Sequence, residues 1–217
     1  MFETLFEGLF PSGVALAWER SDAPSGVLFP EEEALVLRAV EKRRREFAQG
    51  RACARRALAE LGIAPAPLLA GEMREPLWSP GIVGSITHDR LLCAAVAARS
   101  GAFTGVGIDV EPDEPLEENV AARIWSPEEA AAARADGVVP FESAAKLVFS
   151  AKEAVYKCQF ALTQTFIGFN AVSLRLGDGT FVATLTESVG ALPRGYAVTG
   201  AWRRAASEIV TCAWIAR

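Results

Sequence analysis

The stretch Gly105-Val-Gly-Ile-Asp-Val-Glu111 constrains the chain more than any other. Side chains alternate along a strand, so Val106, Ile108 and Val110 face one way while Asp109 and Glu111 face the other. The apolar face needs a core, and the opposite face brings two carboxylates to one place. Like charges held side by side favour a hard cation such as Mg²⁺ between them. Taken alone, Asp-x-Glu is equally a strand running into an acidic loop, since Asp113, Glu114, Glu117 and Glu118 follow.

A second stretch adds weight to the cation. Ser143 to Gln159 contains no Gly or Pro, and Leu147, Val148, Ala151, Ala154, Val155 and Cys158 recur as the apolar stripe of a helix. Glu153 and Lys157 stand one turn apart on it. A surface ion pair is the bland explanation, worth about 0.3–0.5 kcal/mol. A third carboxylate beside a lysine is also what a metal-bound diphosphate needs: an oxygen ligand or base, and a cation for the remaining phosphate charge.

With 217 residues, 51% hydrophobic and 23% charged, the chain has ample core for one domain or two small halves. The acidic, Pro-broken run Pro112-Asp-Glu-Pro-Leu-Glu-Glu-Asn reads as a linker, giving halves at 1–112 and 113–217. Cys53, Cys93, Cys158 and Cys212 are scattered singly in apolar stretches and read as buried thiols of a reducing compartment. No apolar run is long enough to cross a membrane, and the start Met-Phe-Glu-Thr-Leu-Phe-Glu lacks the basic residues of a secretory signal. A cytoplasmic location is expected.

The net charge of −5 argues against a nucleic-acid coat, yet seven basic residues against two acidic lie between Glu41 and Arg56. They fall in a helical pattern from Glu31 to Leu61 with a break expected near Gly50. Arg44, Arg51 and Arg55 share one face, and Val40, Phe47, Ala54, Leu58 and Leu61 mark the buried one. Such a face is either solvated surface or an anion site.

Residues 65–81 are rich in Pro and Gly and read as loop. Ile82–Thr87, Leu91–Ala98 and Phe103–Glu111 then make three strands whose short connections require antiparallel pairing. His88 falls at a strand end, where a histidine is usually just a satisfied polar residue. Ser126-Pro-Glu-Glu129 opens another helix with a capping box. After the Ser143 helix the chain alternates strand and turn, with a hairpin signal at Asp178-Gly179. Helix followed by antiparallel strands thus occurs twice, which is an α+β fold.

Gly-Val-Gly-Ile-Asp-Val-Glu, followed some forty positions later by Phe149-Ser-Ala-Lys-Glu-Ala-Val-Tyr-Lys157, closely resembles the paired signatures of phosphopantetheinyl transferases of the surfactin and enterobactin type. The enterobactin branch is nearest. Arg74-Glu-Pro-Leu-Trp-Ser-Pro-Gly-Ile-Val-Gly-Ser85-Ile-Thr-His88-Asp is similar to the family's first signature, and the three occur in family order. The likeness covers roughly Arg51 to Lys157 and fades in the last quarter. Phe149 stands where surfactin-type members often carry Trp, and Asp89 where small residues are frequent.

The resemblance implies two similar halves, each a long helix on a small antiparallel sheet, related by a pseudo-twofold axis within a monomer. It implies transfer of 4′-phosphopantetheine from coenzyme A to a serine of an apo acyl or peptidyl carrier protein, in peptide, siderophore or polyketide synthesis. Asp109, Glu111 and Glu153 would then bind Mg²⁺, and Glu153 and Lys157 would be catalytic. Arg51, Arg55, Arg74, Ser85, His88 and Lys157 would meet coenzyme A, with His88 and Arg51 at its 3′-phosphate. Helix Val120–Arg134 and its linker would meet the carrier, with Arg123 suited to an acidic carrier helix. Two other readings compete: a metal-dependent nuclease, disfavoured by the acidic balance, and a non-catalytic coenzyme A or carrier-binding module, disfavoured by the complete set Asp109, Glu111, Glu153 and Lys157.

Overall fold

A computed structural model describes residues 2–24, 26–205 and 207–217. The short helix α1 (Glu3–Phe6) leads into β1 (Val14–Arg20), and α2 (Pro30–Val36) precedes the long α3 (Glu41–Glu60). Strands β2 (Ile82–His88), β3 (Leu92–Arg99) and β4 (Phe103–Pro112) follow. Helices α4 (Glu118–Ile124), α5 (Pro127–Asp136) and α6 (Phe141–Thr163) come next, then β5 (Val172–Gly177), β6 (Thr180–Leu185), β7 (Ala197–Ala205) and β8 (Glu208–Ala216).

The strands form two wholly antiparallel sheets, one ordered β1-β3-β2 and the other β4-β8-β7-β6-β5. The sequence places β4 as the third strand of the first sheet. It instead pairs with β8, Asp109 opposite Thr211 and Glu111 opposite Ile209, and β1 fills the first sheet. The short 99–103 connection therefore turns the chain from one sheet to the other. Helix α3 lies on the three-stranded sheet and α6 on the five-stranded one, so each half is a long helix on an antiparallel sheet.

Strand β3 is apolar from Leu92 to Ala98 because both faces are covered there. Cys93, Ala95 and Ala97 meet α3, while Leu92, Ala94, Val96 and Ala98 join Val106, Ile108 and Val110 of β4 in a core between the sheets. The opposite face of β4, with Gly105, Gly107, Asp109 and Glu111, is left to α6.

The helical pattern from Glu31 breaks at 37–40, not at Gly50. Gly50 lies buried within α3, where an added Cβ would stand 3.0 Å from Ile86 Cγ2 on β2. Val40 is 73% exposed and caps α3 in extended conformation, whereas Arg51, placed on the open face by the pattern, is 6% exposed. All four cysteines are buried free thiols. Among the described residues no helix is long and apolar enough to cross a membrane.

Candidate active site

The site begins with two glycines. A Cβ on Gly107 would lie 2.0 Å from the carbonyl oxygen of Ala154, and one on Gly105 2.2 Å from that of Cys158, so only bare backbone lets α6 lie this close to β4. That approach brings Lys157 onto β4. Its ammonium donates to Asp109 Oδ1 at 2.6 Å and to the Ile108 carbonyl at 3.2 Å.

Asp109 is 5% exposed, and the Thr87 hydroxyl donates to the same Oδ1 at 3.1 Å. Its Oδ2 is buried with no hydrogen-bond partner among the described residues. A buried carboxylate oxygen left this way is costly unless a cation meets it. Thr87 and Ser85 also accept the edge N–H groups of Val110 and Ile108, each at 3.3 Å. Hydroxyls of β2 thus close the open edge of β4 and bind the halves together beside Asp109.

Glu153 is half-buried, and desolvation pushes its carboxyl up, with Asp109 adding to the rise and Lys157 opposing it. The surface ion pair of Glu153 with Lys157, the bland explanation of their spacing, does not form, because Lys157 turns to Asp109. Glu111 accepts from Lys146 at 3.1 Å, and burial followed by Asp109 raises its carboxyl against the pull of Lys146. The three carboxylates thus share one seam. Among the described residues, however, no three Asp, Glu, His or Cys side chains stand close enough to form a preassembled metal cage.

Two cavities hold further candidate residues. One, of about 420 Å³, lies between β2 and α6 and is lined by Arg74, Trp78, Ser85, Tyr156, Lys157 and Gln164 among others. It sits between the halves, and Arg74 reaches it from a turn with φ of 65°. The other, of about 500 Å³, is lined by Lys42, Arg45, Glu46, His88, Asp89 and Arg90 among others, with His88 Nε2 3.1 Å from Glu46 Oε2.

Arg51 and Arg55 line neither cavity. Arg51 donates to the Leu68 carbonyl at 3.0 Å and stacks over Phe47 at 3.9 Å, and burial lowers its guanidinium to about 10. Arg55 pairs with the fully buried Glu32 at 2.8 Å and donates to the Val27 carbonyl. Both tie loops to α3, and Arg55 also lines a third cavity, of about 510 Å³, with Phe29, Ala52 and Pro65. Lys152, beside Glu153, is equally committed: 3% exposed, it donates to Glu129 and to the Ile124 and Phe169 carbonyls. Sequence reasoning missed Thr87 and Lys146. Thr87 is two residues from Ser85 on one strand face, and Lys146 is seven before Glu153 on one helix face, so the spacings held the signal.

A family model for the 4′-phosphopantetheinyl transferase N-terminal domain matches residues 31–98, and one for the 4′-phosphopantetheinyl transferase superfamily matches 105–197. The chain belongs to the 4′-phosphopantetheinyl transferase family. The transferase is 41% identical to 4′-phosphopantetheinyl transferase Svp of Streptomyces mobaraensis over 192 residues, 83% of this chain and 76% of that one. It is 43% identical to 4′-phosphopantetheinyl transferase PptT of Mycobacterium tuberculosis over 169 residues, 76% of this chain and 70% of that one. Enterobactin synthase component D of Salmonella typhi is 31% identical over 173 residues, 78% and 71% of the two chains. The transferase is therefore an enzyme that moves phosphopantetheine from coenzyme A to carrier proteins.

Proposed function

We propose that the transferase works at the β4–α6 seam, with Mg²⁺, and releases adenosine 3′,5′-bisphosphate. The observation that carries this reading is the buried, unpartnered Oδ2 of Asp109, set beside Lys157 and Glu153 where α6 borders the cavity between the halves. Hard oxygen donors fit Mg²⁺, and Asp109 and Glu153 would hold it, with Glu111 nearby on Lys146. When bound, Mg²⁺ would draw charge from the diphosphate oxygens.

The chain's own groups account for the rest. The carrier serine oxygen forms a bond to the pantetheine-side phosphorus, and the bond from that phosphorus to the bridging oxygen breaks. Glu153, with a carboxyl raised by burial, is suited to take the serine proton. Lys157 can turn from Asp109 to a phosphate oxygen and stabilise the charge of the leaving phosphate. His88, Lys42, Arg45 and Arg90 would receive the nucleotide end in the second cavity. Arg51 and Arg55 would support that end only by holding the fold.

Both walls of the inter-half cavity come from one chain, which suits a monomer; a cytoplasmic location and peptidyl, aryl or acyl carriers, siderophore carriers included, belong to the same proposal. The test is to incubate the chain with coenzyme A, Mg²⁺ and several apo carriers and to weigh the intact carriers. Carriers should gain one phosphopantetheine, and Asp109→Ala should abolish the gain while leaving the fold intact. Unmodified carriers of every type would refute the reading.

A further inference from the structure

Residues 146, 150, 153 and 157 recur along α6 at spacings of four, three and four, so they lie on one stripe of the helix. The partners of that stripe are on β4 and β8. Lys146 takes Glu111, the Ser150 hydroxyl takes Thr211 at 2.8 Å, and Lys157 takes Asp109. Since Ala154 faces Gly107 and Cys158 faces Gly105, the helix runs opposite to the strand. Lys146 and Lys157 stand about 16 Å apart along the axis and bracket the row of carboxylates, one at each end.

The Lys146 side chain is 12% exposed, and its ammonium lies 5.8 Å from the centre of the Phe149 ring. A long, charged side chain held in so covered a place needs a fixed counter-charge, and Glu111 supplies it. An ammonium and a divalent cation seek the same carboxylate oxygens, so one engages Glu111 at the expense of the other.

The geometry points to Lys146 as a positioning residue that competes with a divalent cation for Glu111 and thereby sets how much cation the site requires. This rests on the reading of Asp109 and Glu153 as cation-bearing carboxylates. Removing the lysine charge frees Glu111 for the cation, which tightens cation binding. A lysine that only fills space would, on removal, lower stability and leave cation affinity where it was.

The probe is Mn²⁺, titrated into the full chain with coenzyme A present, free Mn²⁺ being read from its electron paramagnetic resonance signal. Lys146→Met should bind Mn²⁺ about tenfold tighter, and Lys146→Arg, which keeps the charge, should stay within about threefold of the parent. Lys146→Gln is the second neutral variant should the methionine fail to fold, with the same expectation. If Lys146 acts through Glu111, Glu111→Gln and the double variant Glu111→Gln/Lys146→Met should bind Mn²⁺ within about threefold of each other. Unchanged or weaker affinity in both neutral variants, an undiminished Lys146 effect without Glu111, or a parent chain that binds no Mn²⁺ would each overturn the inference. Failure of the functional reading appears separately, in the mass of the carrier, and the titration decides the inference in either case.

Discussion

Lys157 has two neighbours to serve, because the ammonium that holds Asp109 is also the one expected on the phosphate. Lys157→Met keeps the length and removes the charge. Asp109, nearly buried, would keep only the Thr87 hydroxyl on Oδ1, at a cost on the order of 1–3 kcal/mol. The rate of carrier modification should fall at least about a hundredfold, since charge stabilisation at the leaving phosphate is lost as well. Thermal unfolding and initial rates separate the two effects; a variant that loses stability but keeps its rate within a few-fold would leave Lys157 a support for Asp109 alone. At this scale much was legible. Strand alternation put Asp109 and Glu111 on one face, and helical spacing put Glu153 and Lys157 on one stripe. Which acid each lysine meets was not legible, because a helix pattern carries no record of the strand laid across it. For the same reason the partner of Arg51 was not legible: spacing identified its face, while the loop at Leu68 that meets it is a long-range contact.

Among the elements, the contact of α6 with β4 is the one on which the site depends. Gly107→Ala places a methyl group against the Ala154 carbonyl, a backbone atom in the middle of a helix that cannot step aside. Overpacking of this kind costs about 1–3 kcal/mol and should displace α6 from the strand. Lys157 would then part from Asp109, and activity should fall more than about tenfold even at temperatures where the variant is fully folded. Circular dichroism melting beside carrier-modification rates gives the comparison; a Gly107→Ala chain of parental stability and rate would mean the seam has slack. Helices and hairpins were largely legible, including the capping box at Ser126, where Glu129 accepts the Ser126 N–H and the serine hydroxyl accepts that of Glu129. Strand β1 was not, since Val14-Ala-Leu-Ala-Trp-Glu-Arg20 is short and its partner β3 lies far along the chain. The partner of β4 was hidden likewise: β8 lies about a hundred residues on, and a short connection to β3 looked like a hairpin.

At the scale of the molecule, two halves meet across the β2–β4 hydroxyl contacts and across a cluster of charges at the far end of β4. There the β2–β3 turn contributes Asp89 and Arg90, β8 begins with Glu208, and Glu114 pairs with Arg90. Asp89 Oδ1 is occupied by the N–H groups of Leu91 and Leu92, which leaves its Oδ2 and Glu208 Oε2 buried without conventional partners among the described residues. Glu208 is fully buried, and burial together with Asp89 pushes its carboxyl up to about 8, against smaller pulls from Ser207 and Arg90. The folded chain then keeps a proton that the unfolded chain releases near the ordinary value of 4.5. Between those two values the folded state binds more protons, so stability falls as pH rises. The contribution is complete below the unfolded value and is lost as pH passes through about 8. Glu208→Gln replaces the shared proton with a permanent amide donor and removes this dependence. Its melting temperature should therefore gain on the parent's from pH 5 to about pH 8, the difference between the two curves cancelling the titration of groups that do not interact with Glu208. Parallel curves would mean that Glu208 ionises normally and that Arg90, rather than a proton, holds this end of the two halves together.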